Sequence, residues 1–145
     1  MTRYISLAEY LVITELATGF AAEDLLTSGR VDLADSALHA PQAGFDDQDF
    51  YPDIYDKAAV LCWRLARNHP LIDGNKRAAW AALILFIDLN DGEWTPDPPD
   101  IDDAEQTMLA VAAGEIDEST FANWLRSRVN FDTPPAGLSE EAESK

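Results

Sequence analysis

The sequence predicts an all-α protein: a compact helical bundle around one buried central helix over about residues 75–89. Three observations carry this. Apolar residues recur at helical spacing along most of the chain, and strand-like alternation is confined to short stretches such as residues 3–5. The longest unbroken apolar run, the ten residues 78–87, is apolar on every side, as in a helix surrounded by others. At 145 residues and 47% apolar, the chain can bury the core of one ordinary domain, which excludes wholesale disorder.

The elements follow in order. Ser6 and Glu9 have capping-box spacing and open a first helix, in which Leu7, Tyr10, Leu11, Thr14 and Ala17 share a face until Gly19. A short second helix is expected over residues 21–28, stopped by Gly29, and a third over 31–39, ending before Pro41. Residues 41–52 read as a loop with proline near each end. Its Phe45, Phe50 and Tyr51 are more aromatic surface than a solvated linker needs, which points to a loop that docks on something. From Asp53 to Asn68 the signal is helical again. Tyr55, Ala58, Ala59, Cys62, Leu65 and Ala66 fall on one face, Lys57 and Arg64 on the other, and Asp53 and Lys57 have the spacing of an i,i+4 pair. The central helix ends at Asn90-Asp91-Gly92, and residues 95–100 form a loop. Two more helices are expected, over 102–113 up to Gly114 and over 117–129 from Asp117 or Ser119. One globular unit thus spans residues 1–130. The polar stretch 131–145, with Pro134-Pro135, has the composition of a disordered tail.

Charge and composition narrow the function. The chain carries 27 acidic and 10 basic residues, a net charge of −17, which disfavours a nucleic-acid backbone or an anionic membrane as partner. The single cysteine, Cys62, leaves no disulfide framework and no cysteine-rich metal site. The N-terminal residues lack a secretory cleavage pattern, and the longest apolar run is about half a membrane span, so a cytoplasmic location is expected. Within this acidic chain, residues 57–77 net +4 through Lys57, Arg64, Arg67, Lys76 and Arg77 against Asp73. A local reversal of sign asks for an anion.

The nine residues His69-Pro70-Leu71-Ile72-Asp73-Gly74-Asn75-Lys76-Arg77 form a loop that runs into the start of the central helix. A helix start leaves amides unpaired and carries partial positive charge, so Lys76 and Arg77 lie at the unfavourable end of their own helix. A bound anion turns that cost into attraction. Gly74 allows close backbone approach, and Asn75 can donate its side-chain amide, which together make a phosphate cradle. Asp73 beside phosphates suits Mg²⁺, and His69 suits a general base near neutral pH. Singly, each has a plainer reading: His69 as a helix-end residue, Asp73 or Asn75 as an N-cap, Lys57 and Arg64 as a solvated face, Trp63 and Trp80 as core or interface, Cys62 as inert packing. What these leave unexplained together is Lys76-Arg77 at a helix start.

The string HPLIDGNKR resembles the signature of the Fic/Doc superfamily, His-Pro-Phe-x-[Asp/Glu]-Gly-Asn followed by a branch-specific pair. In the Fic branch, which transfers AMP to protein hydroxyls, that pair is Gly-Arg with another Arg three residues on. Here Lys76-Arg77 stands in its place and Trp80 follows, which looks like the Doc (death-on-curing) branch. Further similarity in DSALHAP, DFYPDIYDKAA and VAAGEIDESTFANWL extends the resemblance over roughly residues 4–129. The resemblance implies an all-helical fold and the toxin of a bacterial toxin–antitoxin pair. Such a toxin is a kinase that uses ATP and Mg²⁺ to phosphorylate a threonine of elongation factor Tu, arresting translation, and is restrained by a cognate antitoxin. It implies His69 as base, Asp73 as Mg²⁺ ligand, and Gly74, Asn75, Lys76 and Arg77 as phosphate-binding positions. It also implies a flap over residues 43–51, with Gly44, Phe45, Asp46 and Asp47, that holds the target as an added strand. Leu71 departs from the motif's Phe, and the smaller anchor can loosen the loop. Two other readings stay open beside the kinase: a Fic-type AMP transferase and a non-catalytic antitoxin-binding module.

Overall fold

Four side chains start four helices by accepting a hydrogen bond from the first turn. In the computed structural model, which describes residues 1–25 and 30–131, Ser6 caps α1 (Leu7–Thr18) and shares a capping box with Glu9. Asp53 caps α4 (Ile54–Asn68), Asp100 caps α6 (Ile101–Ala112) and Asp117 caps α7 (Glu118–Arg126). Between them lie α2 (Ala22–Leu25), α3 (Val31–His39) and α5 (Asn75–Leu89). The fold is all-α, with seven helices among the described residues and only four two-residue strands. The end expected for the second helix and its Gly29 stop, residues 26–29, lie outside the described residues, as do residues 132–145 of the tail expected over 131–145. Phe131 still belongs to the packed unit, its ring edge-on to Tyr55 at 5.0 Å. Among the described residues no helix is long and apolar enough to cross a membrane.

The helix α4 packs on α3, α5, α6 and α7, and α5 packs on α1, α4 and α6, so the two share the middle of the bundle. Ala78, Ala79, Ala82, Leu83, Phe86 and Ile87 of α5 are buried. Trp80, Ala81, Ile84 and Leu85 on its other side are only half-buried and line open grooves, so this helix is not covered all round.

Three expectations about the backbone change. The loop over 41–52 is a 3-10 turn (Ala40–Gln42) followed by a hairpin, β1 (Gly44–Phe45) antiparallel to β2 (Gln48–Asp49). Asp46 and Asp47 form its two-residue turn with φ of 57° and 65°, the mirror-image geometry that matches strand twist. A Cβ on Gly44 would lie 2.4 Å from the carbonyl oxygen of Gln48, so the strands approach too closely for any other residue. The last helix stops at Arg126 rather than 129, because β3 (Glu93–Trp94) takes the backbone of β4 (Val129–Asn130) into a second small ladder. Residues 3–5 form no strand. Their polar backbone is met at Arg3 by the Asn90 side chain, which accepts from the Arg3 N–H at 2.7 Å and donates to its carbonyl at 2.9 Å.

Candidate active site

His69 ends α4 in the left-handed conformation, with φ 51°. That residue turns the chain out of α4 and leaves its side chain exposed, and the imidazole has no hydrogen-bond partner among the described residues. The loop behind it is held from three sides. Leu71 is buried in the core at 1% exposure, so the smaller side chain still anchors the loop. The Asn75 side chain accepts from the Leu71 N–H and donates to the Leu71 carbonyl, each at 2.9 Å. Arg30, at the start of α3, donates from one guanidinium nitrogen to the carbonyls of His69 (2.9 Å) and Leu71 (3.0 Å). Arg30 has no sequence signal; it lies 39 residues from His69 and meets the loop only through the fold.

Gly74 opens α5 with φ 81°, and a Cβ there would also meet the Thr18 methyl at 2.6 Å, so glycine is needed twice over. It offers no side-chain cap, and the first intrahelical bond is the Ala78 N–H to the Gly74 carbonyl. The amides of Asn75, Lys76 and Arg77 therefore open the helix without intrahelical acceptors. Neither Lys76 nor Arg77 has an ion-pair partner among the described residues. Two cations stand without counter-charge at the positive end of a helix. The Asp73 carboxylate is exposed and accepts from the Gly74 N–H at 2.8 Å. The loop and helix start thus carry His69, Asp73, Gly74, Lys76 and Arg77 within nine consecutive residues. The Asn75 amide is spent on the loop, which makes its side chain a brace of the site rather than the free donor expected. A groove of about 670 Å³ runs on from Lys76 and Arg77 between Trp80, Pro98, Ile101 and Met108.

The rest of the basic stretch is engaged elsewhere. Lys57 is not on a solvated face: it is buried at 3% exposure and bonds to the Pro41 carbonyl and Asp49. Asp53, the partner expected for it, instead caps α4 and pairs with Arg126. Arg64 pairs with Glu118 at 2.9 Å and donates to the Tyr51 hydroxyl, which ties down the end of the hairpin segment. Arg67 donates to the Ala112 carbonyl at the end of α6. The sign reversal along residues 57–77 is therefore partly scaffolding, and Lys76 and Arg77 alone of its five cations stay at the helix start. Trp80 belongs to a cluster with Trp94 and Trp124, while Trp63 donates to the Ile116 carbonyl, as expected of packing residues.

A family model described as Fic/DOC family matches residues 4–87, from before α1 through the hairpin and the His69 loop into α5. The chain belongs to the Fic/DOC family. Within that family it is similar to Toxin Doc of Mycolicibacterium smegmatis (strain ATCC 700084 / mc(2)155), with 41% identity over 111 residues that cover 69% of this chain and 85% of that protein. The matched residues 4–87 include the whole of the loop and the hairpin.

The donor set also bears on a metal. No group of three or more His, Cys, Asp or Glu residues among the described residues is placed to hold an ion. Asp73 is a single exposed carboxylate beside an anion-attracting helix start. That fits Mg²⁺, which is commonly held by one or two carboxylates together with substrate phosphates rather than by an all-protein cage.

Proposed function

We propose that this chain is a Doc-like toxin of a toxin–antitoxin pair and that it transfers the γ-phosphoryl group of ATP to a protein hydroxyl, with a threonine of elongation factor Tu as acceptor. The observation that carries the reading is an exposed His69 imidazole on the loop that leads into a helix start with open amides, unpaired Lys76 and Arg77, and the exposed Asp73 carboxylate. The likeness to a protein named Toxin Doc supports the toxin role. A cognate antitoxin and a cytoplasmic site of action come with that role.

In this mechanism the open amides of α5, Lys76 and Arg77 hold the phosphates and offset charge as it develops. Asp73 would hold Mg²⁺, which neutralises phosphate charge. The half-buried groove along Trp80 accommodates the nucleoside. The β1–β2 hairpin presents an unpaired strand edge to the acceptor segment. His69 Nδ1 or Nε2 takes the proton of the acceptor hydroxyl as that oxygen bonds to the γ-phosphorus. The bond from that phosphorus to the bridging oxygen breaks, ADP leaves, and the imidazolium returns its proton to solvent.

Lys76 is the residue that distinguishes phosphoryl from AMP transfer in this reading. It fills space and adds charge where a glycine would let a diphosphate run along the amides, so the γ end of ATP meets the acceptor. The test supplies purified elongation factor Tu and ATP labelled separately at the α and γ positions, with His69→Ala as control. Label from γ that depends on His69 is expected. Label from α would make the chain an AMP transferase, and label from neither would leave a binding module.

A further inference from the structure

We propose that Lys57 is a positioning residue that clamps both legs of the β1–β2 hairpin and so sets the strand edge offered to the acceptor polypeptide; the second half rests on the function proposed above. Lys57 is the one buried charged side chain among the described residues. An ammonium group taken out of water costs several kcal/mol before its partners are counted, and an apolar chain of similar volume usually serves a core as well. A charge at this position asks what it holds.

The three partners of the ammonium answer that. It donates to the carbonyl of Pro41 at 3.0 Å and to the Asp49 carboxylate at 3.3 Å, and lies 5.6 Å from the centre of the Tyr4 ring. Pro41 lies where the chain enters the hairpin, and Asp49 is in β2 where it leaves. The ammonium thus sits under the base of the hairpin and joins its two legs to α4, next to the Phe50 N–H bond to the Ala43 carbonyl at 2.9 Å. Strands of two residues each are marginal alone, so the hairpin's position must come from outside it. The Tyr51 contacts with Arg64 and Glu118 hold the segment after β2, whereas the Lys57 side chain hydrogen-bonds to both sides. Asp49 is 55% exposed at its side chain, so it stays hydrated if the lysine is removed, and the fold need not fail with the clamp.

The experiment compares Lys57→Met and Asp49→Ala with the full wild-type chain by hydrogen exchange at the Phe50 amide and by phosphoryl-transfer kinetics on purified elongation factor Tu. Asp49→Ala is the second variant, since it alters only a surface side chain. Both are expected to speed Phe50 exchange by about tenfold or more, the effect of losing a charge-assisted hydrogen bond. Both are expected to raise KM for the protein acceptor by a similar factor, with KM for ATP unchanged. Unchanged Phe50 exchange in a folded variant overturns the clamp. Faster exchange with an unchanged acceptor KM leaves the clamp standing and removes the hairpin as acceptor edge. A wild-type chain that transfers no phosphate overturns the kinase reading instead, and the exchange result still decides Lys57.

Discussion

A histidine in the left-handed region costs about 1–2 kcal/mol relative to ordinary backbone, and His69 at φ 51° stands there at the end of α4. Arg30 braces it, because its guanidinium donates to the carbonyls of His69 and Leu71. Arg30→Ala is therefore expected to lower kcat by about ten- to a hundredfold through a small displacement of the imidazole, with KM for ATP little changed and the melting temperature within a few degrees of wild type; steady-state kinetics and calorimetry check it. At the opposite extreme of exposure, burial pushes the Cys62 thiol well above its ordinary range, so at neutral pH it is a protonated packing residue against Met108. A thiol reagent should react with the folded chain far more slowly than with the urea-unfolded chain, and equal rates would contradict the packing. His69 and Cys62 are seven residues apart, on and just beyond one helix, yet one is offered to solvent and the other sealed. The difference lies in what packs over each.

Among the elements, helix starts decide most. Ser6→Ala removes one half of a reciprocal capping box and is expected to destabilise the chain by about 1 kcal/mol, measured as a lower urea midpoint with an unchanged slope. At the head of α5 the demand is for a glycine. Gly74→Ala meets both a positive φ and the Thr18 methyl, so a loss of about 1–3 kcal/mol is expected, with anion binding at the helix start weakened in any fraction that folds. The last two helices are joined by Asp103, whose carboxyl is held below the usual carboxylate range first by its hydrogen bond from Arg128 and then by that from Trp124, with partial burial opposing. A depressed folded-state value means that its contribution is complete above the unfolded value of about 3.9 and fades as the pH falls through the folded one. The stability gap between wild type and Asp103→Asn should therefore be widest at neutral pH and shrink as the pH falls below the unfolded carboxylate value of about 3.9, as urea titrations at several pH values would read.

For the whole molecule, a net charge of −17 makes a cationic niche conspicuous, and the helix start with Lys76 and Arg77 is such a niche. How much of this was legible in the sequence follows from range. Caps, glycines and apolar periodicity act within a few residues, so Ser6, Asp53, Asp117 and Gly19 mark helix ends at the residues where they occur, and α5 spans its expected 75–89. The nine residues from His69 to Arg77 are contiguous, so the candidate site could be read from the string itself. The hairpin was hidden because its turn is Asp-Asp, without the glycine that usually signals a mirror-image turn, and its strands are too short for alternation. The end of α7 was hidden because the competitor for its backbone, β3, lies more than thirty residues earlier. Local sequence thus determined the helices, their starts and the chemical content of the loop, since hydrogen bonding and steric preference over one turn suffice for these. Only the tertiary structure decided that Lys57 is buried beneath the hairpin, that Arg30 braces His69, and that Arg64 and Arg67 serve the scaffold. A cation's partner is set by which distant carbonyls and carboxylates the packed helices bring within about 3 Å of it, and no periodicity along the chain encodes that distance.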